Sequence, residues 1–353
     1  MTSPDRLTIT LLLATPGTTW GGMEKHTADL AGALAKLGHN VHVLGHKAYR
    51  DKFPAGVHFH PLPVQLGRGN LWLQLALRRR LRELSPDILH AQGNKAAQLA
   101  GKTGKLARVR IGTVHGTKSS HKAFDRLDEI VAVSPRILGS LRHPHKHLIY
   151  NGVDSERQQI TADDGPNLPA GVTNVIAVGR LEPVKGFDAL IRAWAILGRS
   201  TDDCHLTIFG EGRQRGQLAR LIQQSGLGDS VTLAGFSRNL APVYRKAELT
   251  VISSEREGFP YVLAESLIYG CPVISTPVSG PRDLLPTSSL SEGHRDSDLA
   301  DLMARVLADL EKLKQSQQPA MAFARETLTV TAMAEQTEAL YQKAITERRA
   351  THR

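Results

Sequence analysis

Hydrophobic positions follow two rhythms along the whole chain. Short apolar runs at residues 8–14, 41–44, 87–91, 110–114 and 129–133 have strand length. Between them, residues 23–37, 71–84 and 96–107 carry apolar side chains three and four apart. The first pattern predicts buried strands and the second amphipathic helices. Another strand is predicted at 147–150. The rhythm stops between Asp154 and Gly171, a polar stretch rich in turn formers that reads as a linker. It then restarts, with strands at 174–178, 205–209, 231–233, 249–252 and 272–275 and helices at 187–197, 214–225, 240–247 and 261–269. The last sixty or so residues are mainly helical, most clearly at 299–313 and 331–349.

Strand–helix alternation argues for parallel sheets covered by helices, an α/β class. Because it occurs twice, two Rossmann-like domains are expected, residues 1–155 and 156–330. Residues 331–353 are expected to form a C-terminal helix packing back on the first domain. A chain of 353 residues with 41% hydrophobic and 22% charged residues suits a globular protein of two domains. No apolar run approaches the roughly 20 residues a membrane span requires. Nothing strongly basic precedes the first apolar run, so no signal peptide is expected. The only cysteines, Cys204 and Cys271, lie in apolar strand-like surroundings and read as free thiols in a reducing compartment. A cytoplasmic location follows as an expectation.

Charge divides the chain. Residues 1–153 hold 22 Lys and Arg against 9 Asp and Glu, a net of +13, whereas residues 154–353 hold 22 against 25, a net of −3. A basic half calls for an anionic partner: a phosphorylated acceptor, an anionic membrane surface or nucleic acid. Nucleic acid is disfavoured, because aromatics are only 5% and no binding module is apparent. The segment 71–82 mixes leucines, Trp72 and four arginines. It reads as a core-facing helix with a basic end, or as a helix resting on an anionic membrane.

Four segments carry candidate chemistry. In Glu257-Gly-Phe-Pro-Tyr-Val-Leu-Ala-Glu265, two carboxylates bracket a predicted strand-to-helix turn. Glu257 is expected on the loop and Glu265 more than a turn into the helix. Amides of Gly258, Phe259, Pro260, Tyr261 and Val262 form the stretch where a helix start favours phosphate, Pro260 itself lacking a donor. In Gly179-Arg-Leu-Glu-Pro-Val-Lys185, two cations sit after a strand, suited to a diphosphate unless Arg180 merely pairs with Glu182. Gly21 and Gly22 follow the first strand, where glycine allows close backbone approach to a ligand. His115 ends a first-domain strand and is either structural or a ligand group. Two further sets read as inert. Asp296 and Asp298 have metal-binding spacing, but Asp298 reads as a helix N-cap. His143, His145 and His147 read as a solvated segment.

Together these segments resemble the GT-B glycosyltransferases of family GT4, whose hallmark is two glutamates separated by seven residues. The resemblance is sharp from Val178 to Ser279 and looser in the first 150 residues. It implies two Rossmann-like domains facing across a cleft and a retaining transfer from a nucleotide-sugar donor. It further implies Arg180 and Lys185 as diphosphate ligands, Glu257 at the donor sugar's reacting face, and Glu265 on the ribose. Residues 258–262 would cradle the sugar and diphosphate, Phe236 would line the base, His115 would contact the sugar, and Gly21 and Gly22 would form the first-domain glycine loop. No side-chain nucleophile, cofactor or metal is required, since the leaving diphosphate accepts the acceptor's proton. The implied acceptor is a glycan or lipid-linked molecule, such as lipopolysaccharide or a polysaccharide precursor. UDP-sugars are the first expectation and GDP-mannose the second. Tyr261 stands where the family often has a smaller or amide side chain, and Asp283 where it more often has glutamate. The alternatives are a nucleotide-sugar 2-epimerase or a non-enzymatic basic anion binder.

Overall fold

The computed structural model describes residues 6–17, 19–116, 120–154, 166–198 and 203–351. Thr117 and most of the polar linker, 155–165, lie outside them. The chain divides into two compact units. Unit 1 comprises residues 1–152 and 329–353, and unit 2 comprises residues 153–328.

Unit 1 holds a seven-stranded parallel sheet: β1 (Thr8–Leu13), β2 (Asn40–Gly45), β3 (Val57–Pro61), β4 (Ile88–Gln92), β5 (Val109–Val114), β6 (Glu129–Ala132) and β7 (Lys146–Leu148). The order is β3-β2-β1-β4-β5-β6-β7. The order in which strands succeed one another reverses between β1 and β4, the position where open α/β sheets leave a crevice at their carboxyl edge. Ile9, Leu11, Val41, Val43, Ile88 and Ile111 form a core with Leu30 and Leu34 of the helix Gly22–Lys36. The C-terminal helix Val330–Thr351 packs on the same cluster through Met333, Leu340, Tyr341 and Ile345. Burial of these side chains, at roughly 25 cal/mol per Å², is what holds it there.

Unit 2 holds a five-stranded parallel sheet: β8 (Thr173–Val178), β9 (Cys204–Phe209), β10 (Val231–Gly235), β11 (Leu249–Ile252) and β12 (Val273–Ser275), in the order β10-β9-β8-β11-β12. The strand order reverses between β8 and β11. Its core gathers Val175, Ala177, Leu206, Ile208 and Val251 around the fully buried Trp194 of the helix Phe187–Leu197.

Several elements differ from the sequence reading. β3 was not expected. Its alternation, Val57-His-Phe-His-Pro61, is five residues long and half histidine at its centre, and it pairs only with β2 at the sheet edge. The short helix Pro135–Ser140, capped by the Ser134 hydroxyl, was also missed, whereas the helix Gln318–Thr327 falls in the segment expected to be mainly helical. The helix expected over 96–107 starts instead at Gly93 and ends at Ala100, followed by a single 3-10 turn. The 299–313 helix is two, Asp296–Leu307 and Leu310–Ser316, because the Asp309 carboxylate caps the second. Cys271 is buried, while Cys204 is only partly so, and both are free. Burial pushes the Cys271 thiol up to about 12, leaving it inert.

Candidate functional site

In unit 2 the parallel strands bring the ends of β8, β9, β10 and β11 to one edge. Gly179 and Arg180 follow β8, Phe236 follows β10, and Ser253 to Glu257 follow β11. A hollow opens beside the β8/β11 reversal, lined by Val178, Lys185, Ser253, Ser254, Glu257, Pro260 and Val262. Two loops build it and are stitched together. Glu255 N–H donates to Val184 O at 2.9 Å. The Ser253 hydroxyl donates to Lys185 O at 2.9 Å. Lys185 Nζ lies 2.6 Å from Glu257 Oε1, and that oxygen also accepts from the Ser254 hydroxyl at 2.7 Å. Both ionic side chains are mostly covered, so they attract each other more strongly than a surface pair would.

The close approach of the loops requires Gly186. Its φ is +65°, and a Cβ there would sit 2.2 Å from Ser253 O. No L side chain fits that space without moving the end of β11.

The helix Tyr261–Tyr269 starts at the hollow, with Pro260 as its N-cap and no side chain capping it. A helix N-terminus of this kind favours a ligand oxygen. Phe259 is 5% exposed and packs inward, with a Cβ at Gly280 reaching within 3.3 Å of its ring, so only its backbone can serve a ligand. Gly258 precedes it on the same loop, and Tyr261 and Val262 form the first turn. Glu265, one turn further on, accepts from the Tyr244 hydroxyl at 3.0 Å. Burial and the Glu265 charge raise that phenol well above its usual range, so it stays protonated and donating.

Arg180 is exposed and forms no salt bridge among the described residues. The expected alternative partner, Glu182, is instead held by Arg213 at 2.6 Å. Arg213 lies one loop away, after β9, and competes better than the adjacent Arg180, whose carbonyl accepts the Glu182 N–H. Phe236 is 71% exposed at the end of β10. Asp298 is not the N-cap. Arg295 occupies that place, and Asp298 at the third helical position accepts from the Arg295 N–H and guanidinium. Among the described residues no group of three or more His, Cys, Asp or Glu could hold a metal ion.

The unit 1 candidates sit at the carboxyl edge of its sheet. Gly21 is the N-cap of the helix Gly22–Lys36, and its N–H is taken by the Glu24 carboxylate at 3.0 Å. Gly22 is exposed at the first helical position. His115 Nε2 lies 2.8 Å from Gln92 Oε1, at the end of β4. Its ring meets the His26 ring edge-to-face at 4.7 Å. Burial, and behind it the His26 and His90 rings, holds His115 well below the usual imidazole range. Burial also depresses His26 to about 4 and His90 to about 3. His90 bridges the Tyr341 hydroxyl at 2.6 Å and the Thr113 hydroxyl at 2.7 Å. Both ring nitrogens of His26 are buried, with the Asn151 side chain as a neighbour. These are neutral imidazoles at pH 7. Of the remaining histidines, His147 pairs with Glu129 at 2.7 Å, while His143 lies 3.1 Å from Leu127 O.

Sequence reasoning missed Ser253, Ser254, Tyr244, Gln92, His26 and His90. The two serines were legible in principle, since they directly follow β11. Tyr244 meets Glu265 from another helix, and His90 meets Tyr341 across 251 residues, for which no local signal exists.

Two parallel α/β units of this kind define the GT-B architecture of nucleotide-sugar-dependent transferases. Residues 20–157 match the family profile for Glycosyltransferase Family 4, and residues 159–321 match that for glycosyl transferases group 1. The two matches together span most of the chain, which belongs to the GT4-like glycosyltransferases. It is 31% identical over 193 residues to a D-inositol 3-phosphate glycosyltransferase of Thermomonospora curvata, a match spanning 51% of the chain and 43% of that relative. It is 27% identical over 274 residues to the lipopolysaccharide core biosynthesis glycosyltransferase LpsE of Rhizobium meliloti, covering 74% of the chain and 77% of that protein. The Anabaena HepE structure in complex with UDP superposes with a TM-score of 0.78 at 20% identity, covering 96% of the chain and all of HepE.

Proposed function

We propose that the chain is a retaining hexosyltransferase that uses a UDP-sugar as donor and a glycan or lipid-linked molecule, such as a lipopolysaccharide or polysaccharide precursor, as acceptor. The observation that carries this reading is the Lys185–Glu257 pair, 2.6 Å apart beside the strand reversal and the start of the helix Tyr261–Tyr269. A diphosphate arriving there meets Lys185, Arg180 and the amides of 258, 259, 261 and 262, and their charge stabilises the leaving group. Lys185 then shares its protons between the diphosphate and Glu257, which is left to accept from hydroxyls of the sugar. Glu265 holds the ribose and Phe236 lies against the base, while His115, Gly21 and Gly22 are the candidate ligand residues of unit 1.

The sugar C1–oxygen bond to the diphosphate breaks, and the acceptor oxygen bonds to C1 on the same face. The acceptor's proton passes to a diphosphate oxygen, so no protein nucleophile and no metal enter. UDP is preferred over GDP because a fold neighbour carries UDP. An anionic acceptor fits the +13 net charge of residues 1–153. A cytoplasmic location follows from such a donor. Epimerase activity is the lesser reading, because a 2-epimerase has no need of the paired glutamates.

The test is Glu257→Ala. Transfer from radiolabelled UDP-sugar should fall roughly a hundredfold or more in a variant that still unfolds cooperatively. NMR of the wild-type product should show the donor's anomeric configuration. Full transfer by the variant, or an inverted product, would refute the reading.

A further inference from the structure

Among the described residues six large hydrophobic side chains are exposed: Leu37, Leu71, Trp72, Leu75, Ile196 and Phe236. Three of the six share the first turns of the helix Leu71–Leu84. Exposure there is 72% for Leu71, 76% for Trp72 and 58% for Leu75. The core-facing stripe of this helix is a different one, Leu73, Leu77 and Leu81, all buried. At 3.6 residues per turn, Leu71, Leu75, Arg79 and Arg82 form one row on the opposite side, with Trp72 next to it. The helix thus has two apolar stripes, and only one is spent on the fold.

This outward stripe is held in place. The Asn70 side chain caps the helix by accepting from Leu73 N–H at 3.2 Å. Lys95 Nζ donates to Val64 O and to Leu66 O, pinning the loop that leads into it. Around the stripe the charge is of one sign. From Arg68 to Leu84 there are five arginines and one glutamate. Arg79 and Arg80 share Glu83, whereas Arg68 and Arg82 are exposed.

We propose that this face rests on the surface of an anionic lipid bilayer, with Leu71, Trp72 and Leu75 entering the headgroup layer and Arg68, Arg79 and Arg82 against lipid phosphates. Charge complementarity selects this occupant. A second copy bound face to face would set the same arginines against each other. A bilayer accepts aliphatic and indole side chains at the depth where it presents phosphates to arginine. The contact would be peripheral, since no helix among the described residues is long and apolar enough to cross a membrane. It stands independently of the donor chemistry, because the stripe carries none of the residues assigned to transfer.

Co-sedimentation of the full chain with vesicles tests it. The chain should bind phosphatidylcholine vesicles containing phosphatidylglycerol and bind pure phosphatidylcholine far less. The double variant Trp72→Ser, Leu75→Ser should lose at least tenfold in partitioning, and Arg68→Gln, Arg82→Gln roughly fivefold per arginine. Melting temperatures should be unchanged, because all four side chains are exposed. Equal binding to both vesicle types, no binding, or wild-type binding by the variants would overturn the proposal. So would a concentration-dependent dimer that Trp72→Ser dissolves, which would assign the face to a second copy.

Discussion

The two units share a frame and differ in what they place on it. Each is a parallel sheet whose strand order reverses once, and each carries candidate residues at the carboxyl edge. Unit 1 contains thirteen of the fifteen histidines, and unit 2 only His205 and His294. Unit 1 fills its edge with His26, His90 and His115, which burial keeps neutral. Unit 2 fills its edge with Lys185 and Glu257, two opposite charges held against each other. Neutral imidazoles give hydrogen bonding and shape without charge. The ion pair can exchange one partner for an incoming anion. The same fold therefore carries a buried uncharged polar cluster in one unit and an ion pair in the other.

Acid should break this comparison most strongly. An unfolded chain protonates histidine near 6.5, whereas folded His26 and His90 stay neutral down to about 4 and about 3. Above 6.5 neither state gains a proton and these groups leave stability unchanged. Below it the unfolded state binds protons first, and stability falls by about 1.4 kcal/mol per pH unit for each histidine until the folded values are reached. From pH 6.5 to about pH 4.5 the two together should cost unit 1 about 5 kcal/mol. Hydrogen exchange followed against pH should show unit 1 amides losing protection before those of unit 2. Earlier loss in unit 2 would contradict the assignment of the buried neutral imidazoles.

In unit 2 the largest structural effect should come from Gly186→Ala. The new methyl group would press on Ser253 O in a left-handed backbone. About 3 kcal/mol of destabilisation is expected, read by urea unfolding. Retained stability would mean that the two loops can separate without cost. Tyr244→Phe should be milder. It removes one hydrogen bond to Glu265 and should cost about 1 kcal/mol. An unchanged unfolding midpoint would show that Glu265 does not need that donor.

Much of unit 2 was legible because its signals are local. The strand end, turn and helix start fall within ten residues at both Val178–Phe187 and Ile252–Tyr261, so Arg180, Lys185 and Glu257 could be placed at one edge from order alone. The contacts that shape the site were not legible. Glu257 meets Lys185 across 72 residues, and the carbonyl pressed on Gly186 belongs to a different loop. Unit 1 was harder for the same reason. Its histidine set is assembled from β4, the loop after β5 and the helix Gly22–Lys36, and His90 reaches Tyr341 near the other end of the chain. β3 escaped because its alternation is only five residues long and ends in Pro61 at the sheet edge. The Leu71–Leu84 helix showed its two stripes in spacing, but only the fold reveals which one is buried.

The most direct test of the donor assignment is a thermal-shift titration of UDP, GDP, ADP and dTDP, in the presence of a chelator, on the wild-type chain and on Lys185→Ala. One diphosphate should stabilise the wild type without metal, and Lys185→Ala should need at least about tenfold more of it for the same shift. An unchanged titration in the variant, or stabilisation that appears only with added metal, would contradict a diphosphate site built on Lys185.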